Sequence, residues 1–136
     1  MKQVFPAVKA VILNKGKFLI IKQNINQSWD LPGGKIEHGE TPKETLFREV
    51  KEETCLDIEI VECLGMWWFF RTVDGNQVVC TTFLCSPKTD NVDISKNPTS
   101  EGIEEFKWVT KDEFLGDGYT PVHQSLKDLV SKSLRE

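Results

Sequence analysis

The sequence predicts an α/β (α+β) fold, with a mixed sheet flanked by helices, in a single domain covering residues 1–136. Segments rich in apolar and β-branched residues lie on both sides of one well-marked amphipathic helix. Strands and helices also alternate without a regular βαβ rhythm, which favours a mixed sheet over a fully parallel one. The length suits one hydrophobic core, and no internal repeat or linker divides the chain.

The chain is predicted to begin with a β-hairpin. Val4–Leu13 and Phe18–Gln23 have the composition of strands, and the turn between them, residues 14–17, contains a glycine. Residues 24–27 form a polar loop. A proline and two consecutive glycines exclude regular helix from residues 29–34. The first third of the chain is therefore expected to be extended.

The clearest predicted helix begins after Thr41. Thr41 and Glu44 have the spacing of a capping box, in which each residue satisfies a backbone N–H of the other. Pro42 occupies the first helical position, where its missing N–H has no cost. The apolar periodicity then continues to about Thr54.

The second half is predicted to be a strand pair followed by short elements. A bend is expected in the long strand at Gly65. The predicted elements are a strand over Asp57–Val73, a turn at 74–76, a strand over Gln77–Cys85, a polar loop over 86–102, a strand over Glu104–Val109, one helical turn over Lys111–Leu115 and a final helix over Pro121–Leu134.

Composition narrows the classes of function. The formal net charge is −4 and no basic run is present, which argues against binding to a nucleic-acid backbone. No apolar run is long enough to span a membrane, and the N-terminus lacks the apolar region of a signal peptide. These features predict a cytoplasmic protein. The spacing of the cysteines does not suit zinc, and they are interpreted as small buried hydrophobic residues: Cys55, Cys63, Cys80 and Cys85.

Three carboxylates lie on one face of the predicted helix. Glu49, Glu52 and Glu53 are spaced i, i+3 and i+4, and Arg48 lies at the edge of the same arc. Leu46, Phe47 and Val50 form the adjoining arc, which should face the core. The spacing is compatible with a solvated acidic face. It is also suited to hold a hard divalent cation such as Mg²⁺, which prefers oxygen ligands.

The residues around this helix resemble the Nudix box. From Gly34 the chain has five residues, Glu40, seven residues, and then Arg48-Glu49-Val50-Lys51-Glu52-Glu53-Thr54-Cys55-Leu56. Every defining position matches except Cys55, where the family has glycine. Leu31-Pro32-Gly33 also looks like the family's lead-in. The resemblance implies an α/β/α sandwich and hydrolysis of a diphosphate bond.

By this resemblance, Gly34 (through its carbonyl), Glu49, Glu52 and Glu53 would be the metal ligands, for Mg²⁺ or alternatively Mn²⁺. Glu49 would be either a ligand or the general base, and Arg48 would brace a glutamate by a charge-assisted hydrogen bond. Glu40 would be a supporting carboxylate. Glycine is replaced by Cys55 at the helix end, so a cost of about 1 kcal/mol is expected for a left-handed backbone there.

Many family members use one more glutamate from a distant loop. Glu101 is the first choice for this role and Glu104 the second; both are also compatible with surface charge. Among the aromatic residues, Trp67 and Phe69 should face one side of their strand, and Trp68 the other. Trp68 is the candidate for stacking on a base, with core or interface packing as the alternative. Trp29 is a candidate for lining the pocket.

The substrate is expected to be a small nucleotide or nucleoside diphosphate derivative. Residues 70–73 lack the proline associated with ADP-ribose hydrolysis in the family and the tyrosine typical of diadenosine polyphosphate enzymes. A nucleoside triphosphate, cleaved to the monophosphate and pyrophosphate, is therefore favoured. The alternatives are a non-catalytic nucleotide sensor on the same fold and a structural module. The chain is expected to be a monomer or a homodimer.

Overall fold

The computed structural model describes residues 1–96 and 102–134. These residues form seven strands and three helices, in chain order β1 (Val4–Asn14), β2 (Lys17–Gln23), β3 (Trp29–Asp30), β4 (Gly33–Lys35), α1 (Pro42–Thr54), β5 (Ile58–Phe70), β6 (Gln77–Pro87), β7 (Ile103–Val109), α2 (Lys111–Leu115) and α3 (Gln124–Ser133).

The strands form one mixed sheet, which confirms the predicted fold class. The main order is β3-β2-β1-β6-β5; β4 pairs with β1, and β7 pairs with β2. The β1–β6 pair is parallel, whereas the other strand pairs are antiparallel. β1 is therefore the central strand, and the two glycines that precede α1 lie directly beside it.

The predicted hairpin joins β1 and β2 only at its turn. The paired residues are Leu13 with Phe18 and Asn14 with Lys17. Lys15 and Gly16 have φ of 54° and 80°, the left-handed pair that a tight two-residue hairpin turn requires. Beyond the turn, β1 pairs with β4 and β6, while β2 pairs with β3 and β7.

The core is divided between the two faces of the sheet. On one face, Ala7 and Val11 pack with residues of α2 and α3. On the other face, Val8, Ala10 and Ile12 pack against Leu46 and Val50 of α1. Side chains alternate along β1, so one strand supplies both halves of the core. This arrangement fixes α1 against the centre of the sheet.

Two predicted burials are wrong. Phe47 was expected in the core, but it is 42% exposed. Phe47 lies at the margin of the apolar arc of α1, where Leu46 and Val50 already fill the contact with the sheet. Of the four cysteines that were expected to be buried, Cys63 is exposed and Cys55 is only half-buried, while Cys80 and Cys85 are buried on opposite faces of the sheet.

Several element boundaries differ from those predicted. The short strands β3 and β4 were not predicted, because each is too short to show periodicity. The bend predicted at Gly65 corresponds to a register shift in the β5–β6 pair. The last helix begins at Gln124, after His123 as N-cap, and not at Pro121. Within residues 1–96 and 102–134, no helix is long and apolar enough to cross a membrane.

Candidate active site

Helix α1 presents the three predicted carboxylates because its two ends and its buried face are fixed. At its start, Thr41 Oγ1 accepts a hydrogen bond from the backbone N–H of Glu44, and the Glu44 carboxylate accepts one from the N–H of Thr41. At its end, Cys55 is left-handed, with φ of 64°. Leu46 and Val50 are fully buried. The acidic face is therefore held beside β4, the short strand that contains Gly33 and Gly34.

Arg48 is the centre of the acidic cluster. Its Nε and Nη2 donate to the two carboxylate oxygens of Glu40, at 2.7 and 2.9 Å. Its Nη1 lies 3.1 Å from Oε1 of Glu49 and 3.4 Å from Oε1 of Glu52. The bidentate, charge-assisted contact with Glu40 fixes the orientation of the Arg48 guanidinium and its distance from the carboxylate. One cation thus holds three carboxylates together.

Glu40 joins the loop before α1 to the helix. Besides Arg48, its Oε1 accepts hydrogen bonds from the hydroxyl of Thr45, at 2.9 Å, and from the N–H of Glu37, at 3.2 Å. Hydrogen bonds from Arg48, and to a lesser extent from the Thr45 hydroxyl, together lower the pKa of Glu40 to about 2. Glu40 therefore stays ionised at neutral pH and keeps Arg48 in place.

Two glycines bring the backbone of the preceding strand against the carboxylates. Glu53 is only 5% exposed, and its Oε1 accepts a hydrogen bond of 2.8 Å from the N–H of Gly33. A Cβ on Gly34 would lie 2.5 Å from Cδ of Glu49. Only a residue without a side chain allows Glu49 to pack so closely on this backbone. Gly34, Glu49 and Glu53 are therefore neighbours in space.

The donor types in this cluster fit a hard divalent cation. Carboxylate and backbone carbonyl oxygens are the ligands that Mg²⁺ prefers. In the part of the chain that the structure describes, no three His, Cys, Asp or Glu side chains are grouped around one point as in a complete ion site. Glu49 and Glu52 contact Arg48, and Glu53 contacts the backbone of Gly33.

The two candidates for a distal carboxylate have different outcomes. Glu101 lies outside the described residues. Glu104 lies on β7, 3.6 Å from Nζ of Lys22 and 3.2 Å from Nε2 of Gln27. These contacts are with β2 and the loop after it, and not with α1.

The predicted aromatic residues occupy different environments. Trp29 is 6% exposed, and its ring packs edge-on against Tyr119 at 5.2 Å. Trp68 is 51% exposed. Its neighbour Trp67 points to the opposite face, where it is fully buried and stacks on Phe69. The predicted alternation along β5 is confirmed, and Trp68 remains accessible to a ligand.

One buried ion pair beside the site was not predicted from the sequence. Nζ of Lys9, on β1, lies 2.9 Å from Oδ2 of Asp30. Both side chains are largely buried, at 8% and 14% exposure. The sequence did contain a signal for this pair, because Lys9 is the one charged residue in the apolar run from Ala7 to Ile12. A lysine in a buried strand requires a partner of opposite charge.

Comparison with known proteins gives a consistent result. The family model described as the NUDIX domain matches residues 4–130. A MutT-like protein from Streptomyces ambofaciens is 34% identical over 103 residues, or 76% of this chain; the chain spans 61% of that relative's length. An RNA pyrophosphohydrolase from Hydrogenovibrio crunogenus is 39% identical, with 91% of this chain and 87% of that protein covered. The crystal structure of a MutT protein from Methanosarcina mazei Go1 superposes with a TM-score of 0.82 at 28% identity, covering 96% of this chain and 93% of that one.

Proposed function

Because the chain belongs to the Nudix hydrolase family, we propose that it is a Mg²⁺-dependent pyrophosphohydrolase that cleaves a diphosphate bond in a nucleoside diphosphate derivative. One observation carries the proposal. On the face of α1, Glu49 and Glu52 contact Arg48, Glu53 accepts the N–H of Gly33, and Gly34 packs directly on Glu49. The charged residues of the cluster are thus concentrated beside the backbone of Gly33 and Gly34.

The carbonyl of Gly34 and the carboxylates of Glu49, Glu52 and Glu53 would hold Mg²⁺, or Mn²⁺ in its place. When bound, the ion neutralises phosphate charge and lowers the pKa of a coordinated water. Arg48 fixes the directions of Glu49 and Glu52 through its Nη1.

The roles of the carboxylates follow from their burial. Glu53 is nearly inaccessible and accepts the N–H of Gly33, which suits a fixed ligand. The Glu52 side chain is 37% exposed, compared with 13% for Glu49. Either of these two carboxylates can accept the proton of an attacking water. Glu49 therefore stays predicted as either a metal ligand or the general base. Glu101 remains the predicted distal carboxylate, with Glu104 as the second choice.

The favoured substrate is a nucleoside triphosphate, cleaved to the monophosphate and pyrophosphate. The net charge of −4 argues against a polynucleotide. The name of the RNA pyrophosphohydrolase relative introduces a second candidate, the 5′-triphosphate end of RNA, which carries the same scissile bond. Trp68 is proposed to stack on the base and Trp29 to line the pocket.

Three further parts of the proposal concern the domain, the oligomeric state and the location. Residues 1–136 are proposed to form one Nudix domain, as a monomer or homodimer. Among the described residues the four cysteines are unpaired, which is consistent with the proposed cytoplasmic location, where thiols stay reduced. The proposed hydrolysis of the diphosphate bond does not depend on any of these three parts.

The test is turnover of a substrate panel. The panel contains nucleoside triphosphates, nucleotide sugars, dinucleoside polyphosphates and a 5′-triphosphorylated oligonucleotide, each incubated with Mg²⁺ or with EDTA. We expect release of pyrophosphate or monophosphate that disappears with EDTA and falls at least about a hundredfold in Glu52→Gln. Glu59→Gln, an exposed glutamate on β5, is the matched control and should retain activity.

Two outcomes would contradict the proposal in different ways. If a nucleotide binds but no member of the panel is cleaved, the alternative of a non-catalytic nucleotide sensor on this fold replaces the enzyme. If turnover continues in EDTA, the metal ligands assigned to α1 are wrong. Cleavage of the oligonucleotide alone would replace the small-nucleotide substrate by RNA.

A further inference from the structure

Lys9 is a buried charge at the centre of the fold. It is 7% exposed, and its neighbours Val8 and Ala10 are fully buried. An ammonium group in such a position must be paired. Its Nζ lies 2.9 Å from Oδ2 of Asp30 and donates to the carbonyl of Leu31 at 3.3 Å. Both partners lie in the stretch that leads to Gly34.

This stretch, residues 30–34, is referred to below as the glycine segment. It is held to β1 at several points besides Lys9. The carbonyl of Pro32 accepts the N–H of Ala10 at 2.9 Å, and Gly33 and Gly34 pair with Lys9 and Val8 in the β1–β4 ladder. The segment is therefore attached along its whole length, with the ion pair of Lys9 at its start.

The other end of the glycine segment contacts the proposed metal ligands. Gly33 donates its N–H to Glu53, and Gly34 packs on Glu49. In the β1–β4 pair, Lys9 is the register partner of Gly33. A Cβ on Gly33 would lie 3.0 Å from Cδ of Lys9, so the lysine stem passes directly beside this glycine. A displacement at Lys9 would therefore reach Glu49 and Glu53 through few atoms.

The charge of Lys9 is maintained by its surroundings. Burial disfavours the charged form, but the negative charges of Asp30 and then Glu53 outweigh it and raise the pKa of Lys9 above its usual value. Lys9 therefore remains an ammonium group at any physiological pH. Its electrostatic coupling to Glu53 provides a second connection to the site, besides the backbone of the glycine segment.

We propose that Lys9 is a positioning residue for the Nudix reaction: its ion pair with Asp30 fixes the glycine segment so that Gly33 and Gly34 meet Glu53 and Glu49. Lys9 contacts neither substrate nor metal in this role. The inference rests on the proposed function, since it assigns those glutamates to the metal. Loss of a group that orients metal ligands typically lowers metal affinity or activity ten- to a hundredfold.

A purely structural ion pair would behave differently, and a double variant separates the two roles. Removing one partner of a buried pair leaves an uncompensated charge and destabilises the fold. Replacing both partners by apolar residues of similar volume is often neutral for stability. Lys9→Met/Asp30→Leu should therefore recover most of the stability lost in Lys9→Met, but it cannot restore the polar contacts that orient the glycine segment.

The experiment measures metal affinity apart from catalysis. Mn²⁺ binding is titrated by electron paramagnetic resonance without substrate, below the melting temperature of every variant, and kcat and KM are measured separately. The variants are Lys9→Met, Asp30→Asn and the double variant. Lys107→Met is the control, because Lys107 forms an exposed pair with Glu105 on β7. We expect Mn²⁺ affinity and kcat to fall at least tenfold in Lys9→Met and in the double variant, and to be unchanged in the control.

The results distinguish this inference from the proposed function. If the unmodified chain binds no Mn²⁺, the proposed function fails and the inference fails with it. If the unmodified chain binds Mn²⁺ and the double variant recovers melting temperature, Mn²⁺ affinity and kcat together, only the positioning role is refuted. Asp30→Asn retains the size of the side chain, so an unchanged Mn²⁺ affinity in that variant would also refute it, even if the double variant does not fold.

Discussion

Replacing Cys55 with glycine should stabilise the protein. Cys55 ends α1 in the left-handed conformation, with φ of 64° and ψ of 9°, and its N–H donates to the carbonyl of Lys51 at 2.9 Å. The helix end thus has the geometry of a glycine cap without a glycine. The side chain of Cys55 belongs to neither buried cluster of the core. Removing it therefore relieves strain and takes away little packing.

The magnitude follows from two opposing terms. A residue with a Cβ in the left-handed region costs about 1–2 kcal/mol relative to glycine. Glycine increases the freedom of the unfolded chain, which reduces the gain by about 0.4–1 kcal/mol. The net increase in the free energy of unfolding of Cys55→Gly should be on the order of 0.5–1 kcal/mol, equivalent to a rise of roughly 2–4 °C in melting temperature for a chain of this size.

Urea unfolding without metal is the assay, with Cys55→Ala as the matched control. Alanine removes the thiol but keeps the Cβ, so it should leave the free energy of unfolding within about 0.5 kcal/mol of that of the unmodified chain. Equal stabilities of the glycine and alanine variants would refute the explanation by backbone strain. Since no proposed metal ligand is altered, Mn²⁺ affinity should be the same in both variants.

Three more predictions concern the site. The pKa of Glu40 is lowered from 4.5 to about 2 in the fold, so its contribution to stability is complete above about pH 4.5 and is lost as the pH falls through about 2. In urea unfolding, the free energies of unfolding of Glu40→Gln and the unmodified chain should therefore differ above pH 4.5 and converge as the pH falls towards 2. A difference that does not change with pH would contradict this prediction. Gly34→Ala should lower Mn²⁺ affinity at least tenfold, because the new Cβ would lie 2.5 Å from Cδ of Glu49. Gly118→Ala is the control, because a Cβ on Gly118 would have no atom within 4 Å. Equal Mn²⁺ affinities of the two variants would refute the prediction. Trp68→Ala should raise KM about fivefold or more, because stacking on the base is lost. Its kcat and melting temperature should change little, because the Trp68 side chain is 51% exposed. An unchanged KM would show that Trp68 does not contact the substrate.

Local signals made α1 predictable. Its capping box, its proline at the first position and its last residue all depend on neighbours within four positions, and the structure has each of them. The carboxylate face follows from the same periodicity, because Glu49, Glu52 and Glu53 require only a regular helix to share a side. Phe47 was misplaced because helical periodicity gives the direction of a side chain but not the width of the surface that covers it.

Features that depend on distant partners were not predictable from local pattern. The strands β3 and β4 are two and three residues long and exist because β1 and β2 pair with them. The ion pair between Lys9 and Asp30 joins residues that are 21 positions apart, and the local sequence around either residue does not identify its partner. The central cation of the acidic cluster, Arg48, could be placed on the helix from its spacing, but its bidentate contact with Glu40 required the loop geometry.

The parallel pairing of β1 with β6 has a consequence for the order of folding. Val4 pairs with Gln77 and Ile12 with Cys85, so contacts between the two strands close a loop of more than seventy residues. Loop closure of this kind delays folding relative to local contacts. During synthesis, α1 can form as soon as residue 55 has emerged, but the sheet that supports it is incomplete until β6 follows. We therefore expect a nascent chain that ends before residue 77 to contain α1 without the proposed metal site, and any affinity for Mn²⁺ to arise only when β6 completes the sheet.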